Sequence, residues 1–172
     1  MLVLGVDPSL QTTGYGIVSA QAGGLRYVAG GIIAPHAGAA LSTRLAHLQQ
    51  ELTRVIASHR PQSMIIEEVF SRSAYPKTAI LMAHARGALL CAAALHGMPV
   101  HEYTATSVKS ALVGRGGASK EQVAAMVAQV LSLGLVPSPP DITDALALAI
   151  AFCWRKQAAK ALGRAMPGYA AR

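Results

Sequence analysis

The sequence predicts one α/β domain built on a five-stranded mixed sheet, with the first three strands antiparallel and helices flanking the sheet. Three observations carry this expectation. Residues 2 to 7, 14 to 20 and 25 to 34 are rich in Val, Ile, Leu and Tyr and are separated by short Gly-containing turns such as Ala22-Gly23-Gly24, the signature of an antiparallel meander. Beyond them helical and β-rich segments alternate, as crossover connections require. A length of 172 residues also suits a single core, burying roughly 70% of the unfolded chain's surface.

The remaining elements follow in order. From Ser42 to about Arg60 the apolar positions Leu45, Leu48, Leu52, Val55 and Ile56 recur at helical spacing, with Ser42 placed as N-cap and Pro61 as the stop. Met64 to Val69 reads as a short strand. Pro76 opens a long helix of small and apolar residues that Gly97 closes, and Pro99 to Tyr103 reads as a fifth strand. Ser119-Lys120-Glu121-Gln122 matches a capping box, so a helix starts there and runs to about Leu133. Pro137-Ser138-Pro139-Pro140 interrupts it, and the last helix runs from near Asp141 to about Leu162. The domain is therefore expected to span residues 1–162, with 163–172 a basic, flexible tail.

Composition narrows the function classes. The longest uninterrupted apolar run, Ala145 to Trp154, has ten residues, and a membrane span needs about 20. The first residues carry no basic region or small-residue cleavage site, so a cytoplasmic location without a membrane partner is expected. Cys91 and Cys153 sit among Ala, Leu and Phe, where a reduced thiol behaves as a small buried hydrophobe. The 15 Lys and Arg against 8 Asp and Glu give a net charge of +7, which suits a polyanionic partner.

Against that basic background the acids stand in unusual places. Asp7 ends an apolar strand before Pro8, at the sheet end where open α/β folds bind ligands, although Asp before Pro is also a common turn start. Glu67 and Glu68 end another apolar strand, and strand alternation allows only one of them to share a side with Asp7. Asp141 and Asp144 stand at i and i+3 at a helix start, one turn apart on one face, which also serves as ordinary capping. Taken together, two strand-end acids and a helix-start pair suggest a site of oxygen ligands for Mg²⁺ or Mn²⁺. Two such ions about 3.5 to 4 Å apart support in-line phosphoryl displacement.

The segments Gly5-Val6-Asp7-Pro8-Ser9-Leu10-Gln11-Thr12-Thr13-Gly14-Tyr15-Gly16, Ile66-Glu67-Glu68-Val69-Phe70, Ala85-Arg86-Gly87 and Asp141-Ile142-Thr143-Asp144-Ala145-Leu146-Ala147 resemble the bacterial RuvC Holliday junction resolvases, in order along nearly the whole chain. The resemblance implies an RNase H-like fold, a homodimer, and paired metal-dependent nicks in four-way junction DNA during homologous recombination and repair. It places four catalytic and metal-binding acids on Asp7, Glu67, Asp141 and Asp144, with two Mg²⁺ per active site and Mn²⁺ as a substitute. It also implies the RuvA and RuvB branch-migration proteins as partners. Ser9 departs from the family's usual Gly after Asp-Pro, and Glu68 stands where relatives often carry Gln.

The expected DNA contacts are Phe70, heading the polar segment Phe70-Ser71-Arg72-Ser73 and suited to stacking on an unpaired base, together with Arg72. Tyr75 is a weaker candidate. Lys109 and Lys120 flank the glycine-rich segment that holds Arg115, which suits contact with backbone phosphates. Resemblance places both lysines near the scissile bond. Lys120 also follows a helix N-cap, where phosphate is favoured. The Pro76–His96 helix is the expected dimer surface. Two other functions share these features: a general RNase H-like nuclease, with the same acids and a different substrate, and a non-catalytic basic DNA-binding protein, for which the acids are a liability.

Overall fold

A computed structural model describes residues 1–68 and 76–165. Its elements are β1 (Leu2–Asp7), β2 (Thr13–Gln21), β3 (Gly24–Ile33), α1 (Leu41–His59), β4 (Ser63–Glu67), α2 (Pro76–Leu95), β5 (Val100–Tyr103), α3 (Ala105–Val113), α4 (Lys120–Val130) and α5 (Pro140–Ala165). The strands form one sheet in the order β3-β2-β1-β4-β5. The pairs β1–β2 and β2–β3 are antiparallel, while β1–β4 and β4–β5 are parallel. This is the mixed sheet the sequence predicts.

Strand alternation divides the core in two. Leu4, Val6, Met64 and Ile66 face α1 and α2, where Leu48, Leu52, Ile56, Ala85, Leu89 and Ala92 meet them. Val3 and Ile65 face the opposite way, toward Val108 and Leu112 of α3, Val123 and Val127 of α4, and the apolar run of α5. On this second face β1 and β2 present glycines instead of bulky residues. A Cβ at Gly5 would lie 1.9 Å from the Ala145 carbonyl oxygen, and one at Gly16 would lie 2.6 Å from the Leu146 side chain. The sheet is therefore bare where α5 crosses it, and helix backbone rests on strand backbone.

Several local expectations are corrected. The N-cap of α1 is Ala40, in extended conformation and without a side-chain cap, so Ser42 lies inside the first turn. Leu41 enters the helix before the serine, one turn ahead of the first strongly periodic apolar residue. The helix α3 is absent from the sequence reading: its 9 residues are too few for a periodic pattern, but Thr104 caps it by accepting from Ser107 N at 3.0 Å. The capping box at Ser119 forms as predicted, while α4 ends at Val130. Pro140 is the first residue of α5, a position that needs no N–H donor. Strand β4 ends at Glu67, and Val69 lies outside the described residues, as does everything beyond Ala165. Cys153 is buried, but Cys91 is exposed because α2 covers the sheet with only one side.

The outer side of α2 carries Ile80 and Leu95, 58% and 74% exposed. By length and composition Lys77–Leu95 is also apolar enough to cross a membrane. Uninterrupted-run counting overlooks this stretch because His84, Arg86 and Gly87 break it. Its inner residues Ala85, Leu89, Ala92 and Ala93 are fully buried against the sheet and α1.

Candidate active site

Val6 on β1 pairs with Ile66 on the parallel neighbour β4, so Asp7 and Glu67 each stand one residue beyond that pair. Adjacent strands lie about 4.8 Å apart, and matched positions project to the same face. Asp7 and Glu67 thus both point to the α5 face, while Glu68, just beyond the end of β4, also reaches the cleft wall. The first turn of α5 reaches this end because Gly14, paired with Asp7 across β1 and β2, leaves room for it: a Cβ there would lie 2.0 Å from the Asp141 carbonyl oxygen. Asp144 follows one turn later and faces Asp7 and Glu67 across a cleft of about 690 Å³, whose walls also include Glu68, Met82, Thr104, Thr106, Lys109 and Lys120.

The charges in this cleft are strained. Burial, then the nearby carboxylates Glu67, Asp144 and Asp141, push Asp7 from 3.8 up to about 7, with Lys120 acting in the opposite direction. Glu67 is raised as well, first by burial and then by Asp144, and Lys120 and Lys109 oppose the rise. Lys120 Nζ pairs with Asp144 Oδ2 at 2.7 Å, and that hydrogen bond raises the lysine above its ordinary value. Among the described residues no three acidic, imidazole or thiol groups converge into a ready cage for one ion. The donor chemistry nevertheless fits a hard divalent cation. The upward push on Asp7 and Glu67 marks a cleft short of positive charge, and carboxylate oxygens are the ligands such a cation takes. Of the four predicted acids, Asp7, Glu67 and Asp144 line the cleft, while Asp141 does not; it packs against Gly14, and its charge still reaches Asp7.

The loop after Asp7 is held by the residue that departs from the family pattern. Ser9 Oγ accepts from Gln11 N at 3.2 Å, and Ser9 N donates to Thr13 Oγ1 at 3.1 Å. Arg44 Nη2 donates to the Leu10 carbonyl at 2.9 Å. Serine therefore stitches this turn internally.

Of the predicted DNA contacts, Lys109 and Lys120 line the cleft. Arg115 does not; it donates to Gln122 Oε1 at 3.0 Å, on the capping-box residue of α4. Phe70, Arg72 and Tyr75 lie outside the described residues. Sequence reasoning missed Thr104 and Thr106, which belong to the unforeseen α3, and Met82. The Thr-Ala-Thr-Ser opening of α3, with its N-cap threonine, was the available signal.

Comparison with known proteins gives a consistent answer. The family model for the crossover junction endodeoxyribonuclease RuvC matches residues 3–152. RuvC of Bordetella avium is 47% identical over 150 residues, covering 87% of this chain and 82% of that protein. RuvC of Paramagnetospirillum magneticum is 42% identical over 166 residues, covering 96% and 99%. Thermus thermophilus RuvC in complex with a Holliday junction substrate superposes with a TM-score of 0.85 at 32% identity, covering 92% of this chain and 96% of that one. The architecture is RNase H-like, as the resemblance implied.

Proposed function

The chain belongs to the RuvC family of crossover junction endodeoxyribonucleases, and on that footing we propose how its own residues cut a four-way junction. It is a Holliday junction resolvase of homologous recombination and DNA repair. The observation that carries the reading is the cleft where Asp7, Glu67 and Asp144 meet Lys109 and Lys120 in a chain of net charge +7. Acids gathered in a body that otherwise attracts DNA serve cleavage; they weaken simple binding.

Catalysis depends on divalent metal. Asp7, Glu67, Asp141 and Asp144 are the residues that hold it, as two Mg²⁺ per active site, with Mn²⁺ able to replace them. Cations held by these residues would supply the positive charge that lowers the pKa of an attacking water and offsets charge on a departing 3′ oxygen. The products carry 5′-phosphate and 3′-hydroxyl ends. Lys120 is a permanent cation, since its pairing with Asp144 raises its pKa. It contributes charge beside the scissile phosphate and is no proton acceptor. Lys109 adds a second charge on the same wall. Both contacts give affinity without sequence information. Phe70 stacks on an unpaired base at the crossover, and Arg72 and Arg115 hold flanking phosphates. Replacing Lys120 by Met is expected to slow nicking about 100-fold and to lower the salt dependence of junction binding by about one counterion, read from gel shifts at several salt concentrations.

Two copies act together, because symmetric cuts across a junction call for two sites related by a two-fold axis. The exposed apolar side of α2 is the surface that joins them. Gly87 offers a clean test, as a Cβ there meets nothing within 4 Å. Gly87→Glu is expected to leave each subunit folded and to convert a dimer into a monomer in analytical ultracentrifugation; a parental protein already monomeric would count against this surface. The protein works in the cytoplasm, where RuvA and RuvB are the branch-migration partners its family implies.

The function itself is tested with labelled four-way junction, linear duplex and RNA–DNA hybrid, each with and without Mg²⁺. Paired, metal-dependent nicks confined to the junction are expected. Preferential cleavage of the hybrid would instead select a general RNase H-like activity.

A further inference from the structure

We propose that Arg86 is a positioning residue for the metal site, acting through the main chain of Glu67. The Ala85-Arg86-Gly87 segment lies on α2, on the face of the sheet opposite α5, and its arginine touches none of the cleft acids' carboxyl groups. Its Nε donates to the Glu67 carbonyl oxygen at 3.3 Å, and its Nη2 lies 2.7 Å from Glu102 Oε2. The arginine side chain is 17% exposed while Glu102 is 49% exposed, so the guanidinium is shielded from water and the carboxylate beside it is half in solvent. Glu102 and Ile66 are register partners on β5 and β4. One guanidinium therefore ties α2 to the ends of two neighbouring strands at the residue whose side chain enters the cleft.

A main-chain tie matters here because the Glu67 carboxylate is partly buried and faces the like charge of Asp144. Burial and Asp144 outweigh the attraction of Lys120 and Lys109 for its carboxylate, so the cleft's net field does not hold β4's last residue inward, and the strand ends there. The next residue is fixed from the other side, with Glu68 N donating to the Tyr103 carbonyl at 2.9 Å. Tyr103 in turn lies under Arg155 of α5, 4.8 Å from ring centre to guanidinium carbon. Arg86 and Arg155 thus pin the β4–β5 edge from opposite faces, and only Arg86 contacts Glu67 itself. Groups that orient metal ligands affect metal affinity by about 10- to 100-fold when removed.

The inference rests on Glu67 being a ligand, and the test separates the two claims. Mn²⁺ is titrated into DNA-free protein and the free ion followed by electron paramagnetic resonance, for the parent, Glu67→Gln, Arg86→Met and Arg86→Lys. Glu67→Gln and Arg86→Met are each expected to weaken Mn²⁺ binding about tenfold. Arg86→Lys reaches one acceptor instead of two and is expected to lose about threefold. Junction binding in chelator should be unchanged in the Arg86 variants, since Arg86 is not assigned to DNA contact, and retained or tightened in Glu67→Gln, which removes a negative charge from the cleft. If Glu67→Gln keeps the parental affinity, the ligand assignment fails. If Glu67→Gln weakens binding while Arg86→Met or Arg86→Lys retains the parental affinity, the positioning role is overturned, whatever happens to the melting temperature.

Discussion

Asp7→Asn is expected to abolish junction nicking, a loss of at least about 1000-fold, while junction binding in chelator is retained or tightened. On the proposed assignment the loss follows from removing a metal ligand whose site supplies several kcal/mol of charge stabilisation, each ~1.4 kcal/mol being tenfold in rate. The gain in binding follows from removing a negative charge that faces phosphate. The same variant carries a second, independent signature in folding. Asp7 rises from 3.8 to about 7 on folding, chiefly through burial. The metal-free protein therefore binds a proton that the unfolded chain releases, and its stability falls as pH rises from about 4 to 7. Below pH 4 both states are protonated and the contribution is complete; above 7 the buried charge is present and the contribution is lost. Asparagine has no such proton, so Asp7→Asn is expected to be more stable than the parent in chelator at pH 8 by about 2 to 4 kcal/mol, with the difference vanishing near pH 4. Denaturant unfolding at the two pH values measures it. Full nicking by the variant in Mg²⁺ would remove Asp7 from the site.

Gly14→Ala is expected to be nearly as damaging, without touching a charged group. The added Cβ would stand 2.0 Å from the Asp141 carbonyl oxygen, 2.4 Å from its carbonyl carbon and 2.8 Å from its Cβ. These are backbone and near-backbone atoms that cannot rotate aside, so the first turn of α5 must lift by more than an ångström and take Asp141 and Asp144 with it. A misplacement of about 1 Å costs on the order of 100-fold in rate, and overpacking of this kind costs about 1 to 3 kcal/mol in stability. Gly23→Ala is the matched control, since nothing lies within 4 Å of its added methyl. It is expected to nick and unfold as the parent does. Equal activity in Gly14→Ala and Gly23→Ala would mean that α5 can be displaced without consequence to the acids it carries.

Much of this was legible in the residues because the information was local. Strands β1 to β3 announce themselves by β-branched runs and glycine turns, and α4 by its capping box. The four acids stand out because they interrupt apolar patterns in a chain with only 8 carboxylates. What stayed hidden depends on distant pairings. Nothing in the sequence ties Lys120 to Asp144, 24 residues apart, although their contact sets the resting charge of the cleft. The helix α3 was obscured because its 9 residues run straight into a glycine-rich stretch. Exposure of Cys91 follows from which side of α2 meets the sheet, and a helix apolar all round does not declare that side. The glycines of β1 and β2 read as weak strand formers until α5 is seen lying on them.

The order of the acids along the chain has a consequence for how the protein is made. Asp7 lies on the central strand β1, Glu67 on β4, and Asp141 and Asp144 on α5, the last element described. Domains emerge from the ribosome N-terminal end first, at about 5 to 20 residues per second. The meander and the β1–β4 pairing can assemble while the chain is still growing, yet the proposed site lacks Asp141 and Asp144 until α5 has been synthesised and has closed over the glycine-lined strands. On the proposed assignment, the element that completes the site is thus the last one synthesised among the described residues, and a nascent chain is expected to stay inert toward DNA until α5 has docked.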